Sequence, residues 1–250
     1  MAQGRVGIFV FLLAFLAVAF IWMDSAKKGK RPKVRRIAAL EAIEEAAGRA
    51  TEMGRPIHMT FGSGELSAPV LAGLQVLSAV AGACARLGTN LYVSVCRSET
   101  YPMAQEIMRI AYAQESKLEE YKPDNVRFFS EAQQGYTAGV LELMETQKVA
   151  GNFMVGNMLA ESITFAETGN RLGAIQLGGG AADAMFLATC DYVLLGDELY
   201  AAAADISGDA NQMAFLTAEE AGKYLLLGLI VLGSVMTTLG NQALVNLIRR

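Results

Sequence analysis

Apolar and polar positions along this chain follow two patterns. Long uncharged apolar runs stand near both ends, and between them short apolar runs alternate with longer amphipathic ones. Residues 6–23, VGIFVFLLAFLAVAFIWM, form 18 consecutive uncharged positions, enough to cross a bilayer core as a helix. Only Arg5 precedes the run closely and no A-x-A site follows it, so it reads as an uncleaved anchor rather than a signal peptide. Near the other end, residues 224–240 are 17 uncharged positions. Thr217-Ala218-Glu219-Glu220 ahead of them has the spacing of a capping box, which predicts a second spanning helix from Thr217 to Gly240. Ser234 and Thr238 lie four apart, a small-xxx-small spacing that suits packing against Ala14 and Ala17 of the first span.

Between these runs the period changes repeatedly. Ile37, Leu40, Ile43, Ala47 and Ala50 recur at helical spacing, with Glu41, Glu44, Glu45 and Arg49 on other faces. This predicts an amphipathic helix that ends at Gly54. Strands are then predicted at 56–61, 90–96, 125–129, 149–155, 174–177 and 192–195. Helices are predicted at 67–87, with Ser67 as cap and Pro69 in the first turn, and at 101–116, 131–147, 161–167 and 181–189. Gly178-Gly179-Gly180 reads as a turn, and 196–200 as a polar turn. Strands alternating with helices call for an α/β fold, a mostly parallel sheet with helices on both faces. Continuous apolar strands such as YVLL and FMV fit a sheet covered on both sides. The expected organisation is an N-terminal transmembrane anchor (1–23), a basic juxtamembrane linker with the amphipathic helix (24–54), an α/β domain (55–216), and a C-terminal transmembrane helix and tail (217–250).

Charge gives this arrangement a direction. Hydrophobic residues are 53% of the chain and charged residues 18%, against roughly 25% charged in an ordinary soluble domain. Residues 37–222 hold 10 basic and 24 acidic side chains, a net charge of −14. An acidic body of this kind excludes a nucleic-acid partner, which needs a basic footprint. The basic side chains cluster instead beside the first apolar run, at Lys27, Lys28, Lys30, Arg31, Lys33, Arg35 and Arg36. By the positive-inside rule that cluster places the domain in the cytoplasm, between two passes of the inner membrane. The expected partners are therefore the lipid bilayer and further copies of the same chain. Three separated cysteines, Cys84, Cys96 and Cys190, with no CxxC, fit buried reduced thiols.

In parallel sheets ligands bind at the loops leaving the carboxyl ends of the strands. Here those loops carry Ser63 and Glu65; Arg97, Ser98 and Glu99; Ser130 and Glu131; Asn157 and Glu161; Asp183; and Asp197, Glu198 and Tyr200. Ser63, Glu65, Arg97, Asn157, Glu161, Asp183 and Glu198 are the candidate ligand-binding set. The loop FGSGEL could offer N–H groups to an anion, but it lacks the lysine of a Walker loop, and Glu65 would repel a phosphate. His58, the only histidine, sits inside an apolar strand, where a hydrogen-bonded core role outweighs catalysis. Ser63 stands in G-S-G, not in a nucleophile elbow. No EF-hand spacing joins the acidic loop residues, and neither a metal nor a cofactor is expected.

The stretches HMTFGSGEL (58–66), AESITFAETGNRLGAIQL (160–177) and ATCDYVLLGDELYAAAA (188–204) resemble a prokaryotic membrane-protein family defined by a domain of unknown function. That resemblance implies architecture and topology and carries no catalytic residue. GGGAADAMFLATCDYVLLGDELY (178–200) is also similar to the glycine-turn, helix and strand segment of the crotonase and Clp-protease-like superfamily, which includes membrane-bound serine peptidases. Where the peptidases place a serine at the helix start, this chain has Gly180, Ala181, Ala182 and Asp183. The function expected is a membrane-anchored, self-associating assembly protein without catalysis. The alternatives are a small-ligand sensor or enzyme using the strand-end loops, or a degenerate hydrolase.

Overall fold

The computed structural model describes residues 37–180 and 183–238, with isolated helical positions before Ile37. The chain divides into two units, Arg35–Ser207 and the pair of segments Met1–Val34 and Gly208–Arg250. In the first unit the order is α1 (Ala38–Met53), β1 (Ile57–Thr60), α2 (Ala68–Leu87), β2 (Leu91–Val95), α3 (Thr100–Gln114), β3 (Val126–Phe128), α4 (Gln133–Gln147), β4 (Gly151–Gly156), α5 (Glu161–Leu172), β5 (Ile175–Gly180), α6 (Asp183–Thr189), β6 (Tyr192–Leu194) and α7 (Asp197–Ser207). All strand pairs are parallel, in the order β3-β2-β1-β4-β5-β6. The fold is thus α/β, and the order is that of doubly wound nucleotide-binding sheets.

Alternation along each strand assigns the faces. Ile57, Met59 and Phe61 pack with Leu91, Val93, Val95, Phe153, Val155 and Leu177 under α1, α2, α3 and α7. Cys96, Met154, Phe165 and Phe186 join the core on the other face, under α4, α5 and α6. The first core is organised on α2, whose Val70, Leu74, Val76, Leu77, Val80 and Cys84 are all buried. Helix α1 adds Ala39, Ile43, Ala46, Ala47 and Ala50 to it. Its alanine stripe lets the helix lie close, and Gly54 ends it in the left-handed conformation.

The structure corrects three local expectations. The triple glycine is not a turn but the end of β5, paired with Met154, Val155 and Gly156 of β4. Small residues are needed there because a side chain on Gly178 would enter the Phe186 ring, and one on Gly180 (φ +128°) would meet the Gly156 carbonyl. The polar turn at 196–200 is the first turn of α7. Asp197 and Glu198 stand at its positive end, and Leu199, Ala202, Ala203 and Ala204 are buried. The last helix, α8, runs from Ala210 to Thr238 and so starts ahead of the expected capping box. Asp209 caps it instead, its Oδ1 accepting the Asn211 N–H at 2.8 Å.

Among the described residues one helix is both long and apolar enough to cross a membrane, and it is α2, with 67% of its apolar window buried. This is the mark of a core helix. Within α8 a shorter apolar segment covers Gly222–Val235. Leu226, Leu227, Ile230, Val231, Leu232 and Val235 are exposed on it, as are Phe9, Leu12, Leu13, Leu16, Phe20 and Ile21 near the N-terminus. The basic cluster Lys27, Lys28, Lys30, Arg31, Lys33, Arg35 and Arg36 lies outside the described residues.

Candidate functional site

The strand order reverses between β1 and β4, so the crevice at their carboxyl ends is where a doubly wound sheet receives a ligand. Here the two loops at that point are tied together. The Gly64 N–H donates to Asn157 O at 3.0 Å and the Asn157 N–H to Phe61 O at 2.9 Å. Asn157 Nδ2 donates to Glu65 O at 3.3 Å. Arg97, just past β2, reaches over and donates to Ser63 O at 2.8 Å and Gly64 O at 3.3 Å. Glu161, in the first turn of α5, accepts the Ser63 N–H at 2.8 Å, the Leu159 N–H at 3.2 Å and Gln133 Nε2 at 2.6 Å.

Five of the seven expected residues are therefore brought together: Ser63, Glu65, Arg97, Asn157 and Glu161. Asp183 opens α6, after the neighbouring strand. Glu198 is exposed in the first turn of α7. Gln133 belongs to the loop cluster and escapes the sequence reading, because a Gln in a helix start carries no distinctive signal; Ser67 precedes α2 as expected, but its hydroxyl makes no cap bond.

Glu161 is only 3% exposed. Burial opposes its ionisation, but hydrogen bonds from Ser63, the backbone and Gln133 outweigh that and hold the carboxyl below the usual carboxylate range. The Ser63 hydroxyl stands beside this carboxylate and favours its charge, yet its geometry falls short of a hydrogen bond, so the Ser63 N–H is the effective partner. Among the described residues, Ser63 Oγ and Ser67 Oγ are the buried side-chain polar atoms that make no hydrogen bond. Both lie in the single loop that follows β1.

His58 belongs to a different structure, a buried polar row across four strands. Ser94, His58, Asn152 and Gln176 are all fully buried. Asn152 Nδ2 donates to Gln176 Oε1 at 2.9 Å and Phe165 O at 3.3 Å. Its Oδ1 is therefore the acceptor for His58 Nδ1–H at 3.0 Å. This leaves His58 Nε2 to accept the Ser94 hydroxyl at 2.9 Å. Gln176 Nε2 continues the row to Ala166 O and Asn170 Oδ1, both at 2.9 Å. With both ring nitrogens engaged and no exposure, His58 has no proton to trade with a substrate. Burial lowers it from 6.5 to about 4.

That shift makes an expected result. Between pH 6.5 and about 4 the unfolded His58 binds a proton and the folded one does not, so acid favours unfolding over this window. The loss should approach about 3 kcal/mol, at 1.36 kcal/mol per unit. Urea titrations of the full chain across this range should show the slope, and His58→Gln should flatten it while lowering stability throughout. An equal slope in the variant would assign the effect to other groups.

The remaining reactive groups are quiet. Burial pushes the Cys84 thiol up to about 12 and Cys190 to about 11, so neither is a thiolate nucleophile. Among the described residues no group of three His, Cys, Asp or Glu side chains converges as a metal site. A cleft of about 320 Å³ opens at the opposite edge of the sheet, lined by Glu45, Arg49, Asn170, Asp191 and Tyr192. The sequence gives no sign of it, because its walls come from α1, from the end of α5 and from the amino ends of β5 and β6.

The fold and the loop cluster can be set beside known families. The family model described as "Domain of unknown function (DUF6754)" matches residues 1–248. The chain belongs to this family. Neither a curated protein nor a solved structure matches it. In this DUF6754 chain, residues 58–66 supply most of β1 and the loop beyond it, and 160–177 supply α5 with Glu161 and the first half of β5. Residues 188–204 carry β6 and the start of α7. The segment that resembles the crotonase and Clp-protease-like superfamily forms the end of β5, α6, β6 and the start of α7, and α6 begins at Asp183 rather than at a serine.

Proposed function

We propose that this chain is a membrane-anchored assembly protein. On this reading its acidic α/β domain faces the cytoplasm, self-associates and performs no catalysis. The observation that carries the reading is the character of the carboxyl edge of the sheet. Inside, the polar loop groups are turned on one another through the Gly64–Asn157, Arg97–Ser63 and Glu161–Ser63 contacts. Outside, the edge and the helices that follow it expose Leu66, Leu71, Leu159, Ile163, Met185 and Leu187, among acidic side chains such as Glu65, Glu131 and Glu198. Exposed apolar side chains grouped in this way suit contact with another protein surface.

The membrane anchor rests on the apolar ends of the chain. In α8 the hydroxyls of Ser234, Thr237 and Thr238 donate to carbonyls four residues back at 2.8, 2.7 and 2.8 Å. Polar groups satisfied within their own helix meet the demand that a hydrocarbon environment makes. The basic cluster 27–36 supports a cytoplasmic domain by the positive-inside rule.

Light scattering of the full chain in an uncharged detergent should give more than one copy per particle. Ile163→Glu with Leu187→Glu should lower that number without loss of helix content. A wild-type particle that stays monomeric at every concentration would remove the assembly reading.

A further inference from the structure

We propose that the loop after β1 is a binding site for a phosphate group, held closed by Glu161 as a built-in carboxylate in the place of the ligand. The inference is independent of self-association.

Glu65, whose charge opposes a phosphate, is exposed to solvent, where its field is screened, and four observations meet inside the loop. The loop stands at the strand-order reversal, between the amino ends of α2 and α5, where partial positive charge gathers. An anionic group is already bound there, since the Glu161 carboxylate takes the Ser63 and Leu159 N–H groups. Ser63, 2% exposed, has a hydroxyl without a hydrogen bond that stands beside that carboxylate. Ser67, which precedes α2 and makes no side-chain cap bond, has a second buried hydroxyl without a hydrogen bond in the same loop.

Buried polar groups left without partners are rare and call for an explanation. A planar carboxylate has two oxygens, and three donors already share them: the Ser63 N–H, the Leu159 N–H and Gln133. A tetrahedral phosphate brings more acceptor oxygens, enough to keep both N–H groups and add the Ser63 hydroxyl. The hydrogen bonds that join the two loops do not have to break, because only the Glu161 side chain has to leave. The closure of the crevice also sets the ligand's size. A single phosphate group replaces a carboxylate, whereas a dinucleotide lying across the crevice would have to part Gly64 from Asn157.

The test uses the full chain in dodecyl maltoside and measures binding of inorganic phosphate and of adenosine monophosphate by calorimetry. Sodium chloride at equal ionic strength is the control. Saturable binding of inorganic phosphate identifies the free ion as ligand. Binding of the monophosphate ester alone identifies an esterified phosphate. Glu161→Gln, which removes the competing charge, should bind about tenfold more tightly. Ser63→Ala should stay folded in chloride, with at most a small fall in melting temperature from the lost support of the Glu161 charge, yet bind about tenfold more weakly. If Glu161→Gln does not fold, Ser63→Ala decides alone. The proposal is overturned if neither ligand binds the wild type or a folded Glu161→Gln. It is equally overturned if Ser63→Ala binds with undiminished affinity.

Discussion

Gly180→Ala should unfold the carboxyl edge of the sheet. Gly180 ends β5 beside Gly156 of β4, with φ +128°, and a Cβ there would collide with the Gly156 carbonyl oxygen. Two costs add. The backbone conformation is one that only glycine adopts easily, worth about 1–3 kcal/mol of strain. The clash is with main chain held in a parallel ladder, so no rotamer change relieves it, and overpacking of this kind costs about 1–3 kcal/mol more. A total of roughly 4 kcal/mol is a large share of a domain's stability of about 5–15 kcal/mol. Hydrogen exchange of the full chain should show β4, β5 and α6 losing protection first. Gly54→Ala is the control, since a Cβ there meets nothing although φ is +63°, and it should cost only about 1 kcal/mol. Equal protection in Gly180→Ala and wild type would mean that the β4–β5 ends are more open than described.

The second large effect is expected at Asn152. Asn152→Leu is close in volume but removes both an acceptor and a donor from the middle of the polar row. It leaves the His58 Nδ1–H and Gln176 Oε1 without a partner at full burial. Each buried orphan costs about 1–3 kcal/mol, so a loss of about 3–5 kcal/mol is expected in urea titrations. The same substitution should move the histidine titration, because Asn152 is the hydrogen-bond partner that favours the charged ring. A loss below about 1 kcal/mol would show that the row relaxes by repacking.

Much of the fold could be read from period alone, and the reason lies in how β1 and β4 differ from the helices around them. IHMT and GNFMVG are short, apolar and bounded by glycine or proline, and their alternation with longer helical stretches leaves little choice but a parallel sheet. Their order could not be read. Strands buried on both faces look alike from either neighbour, and nothing in HMT or FMV states that they lie side by side. The polar row was hidden for the same reason. His58 announced itself as a core histidine, but Asn152 and Gln176 become its partners only when β1, β4 and β5 are placed in register. Loop residues were easier, since Ser63, Arg97, Asn157 and Glu161 follow strands and the carboxyl-end rule gathers them. That Glu161 would fill the loop itself depends on the first turn of α5 meeting the loop after β1, a tertiary distance that no local pattern encodes. The glycine triplet misled because three glycines permit a turn and equally permit two strands to approach without side chains between them.

The burial of α2 has a consequence for how the chain is made. Ala68–Leu87 is 20 residues long and holds an 18-residue window with a mean hydropathy of 1.7, so the chain emerging from a ribosome would present it with the same credentials as a true span. On the two-anchor reading the insertion machinery meets three apolar segments in succession and must admit the first and last while refusing the middle one. Accepting α2 would send everything after it to the wrong side and leave the sheet without its central helix. Refusal therefore depends on timing. On that reading the α1 stripe, made before α2 and packed against it, is the surface that can claim it first, so early folding of residues 38–53 would serve topology as well as stability.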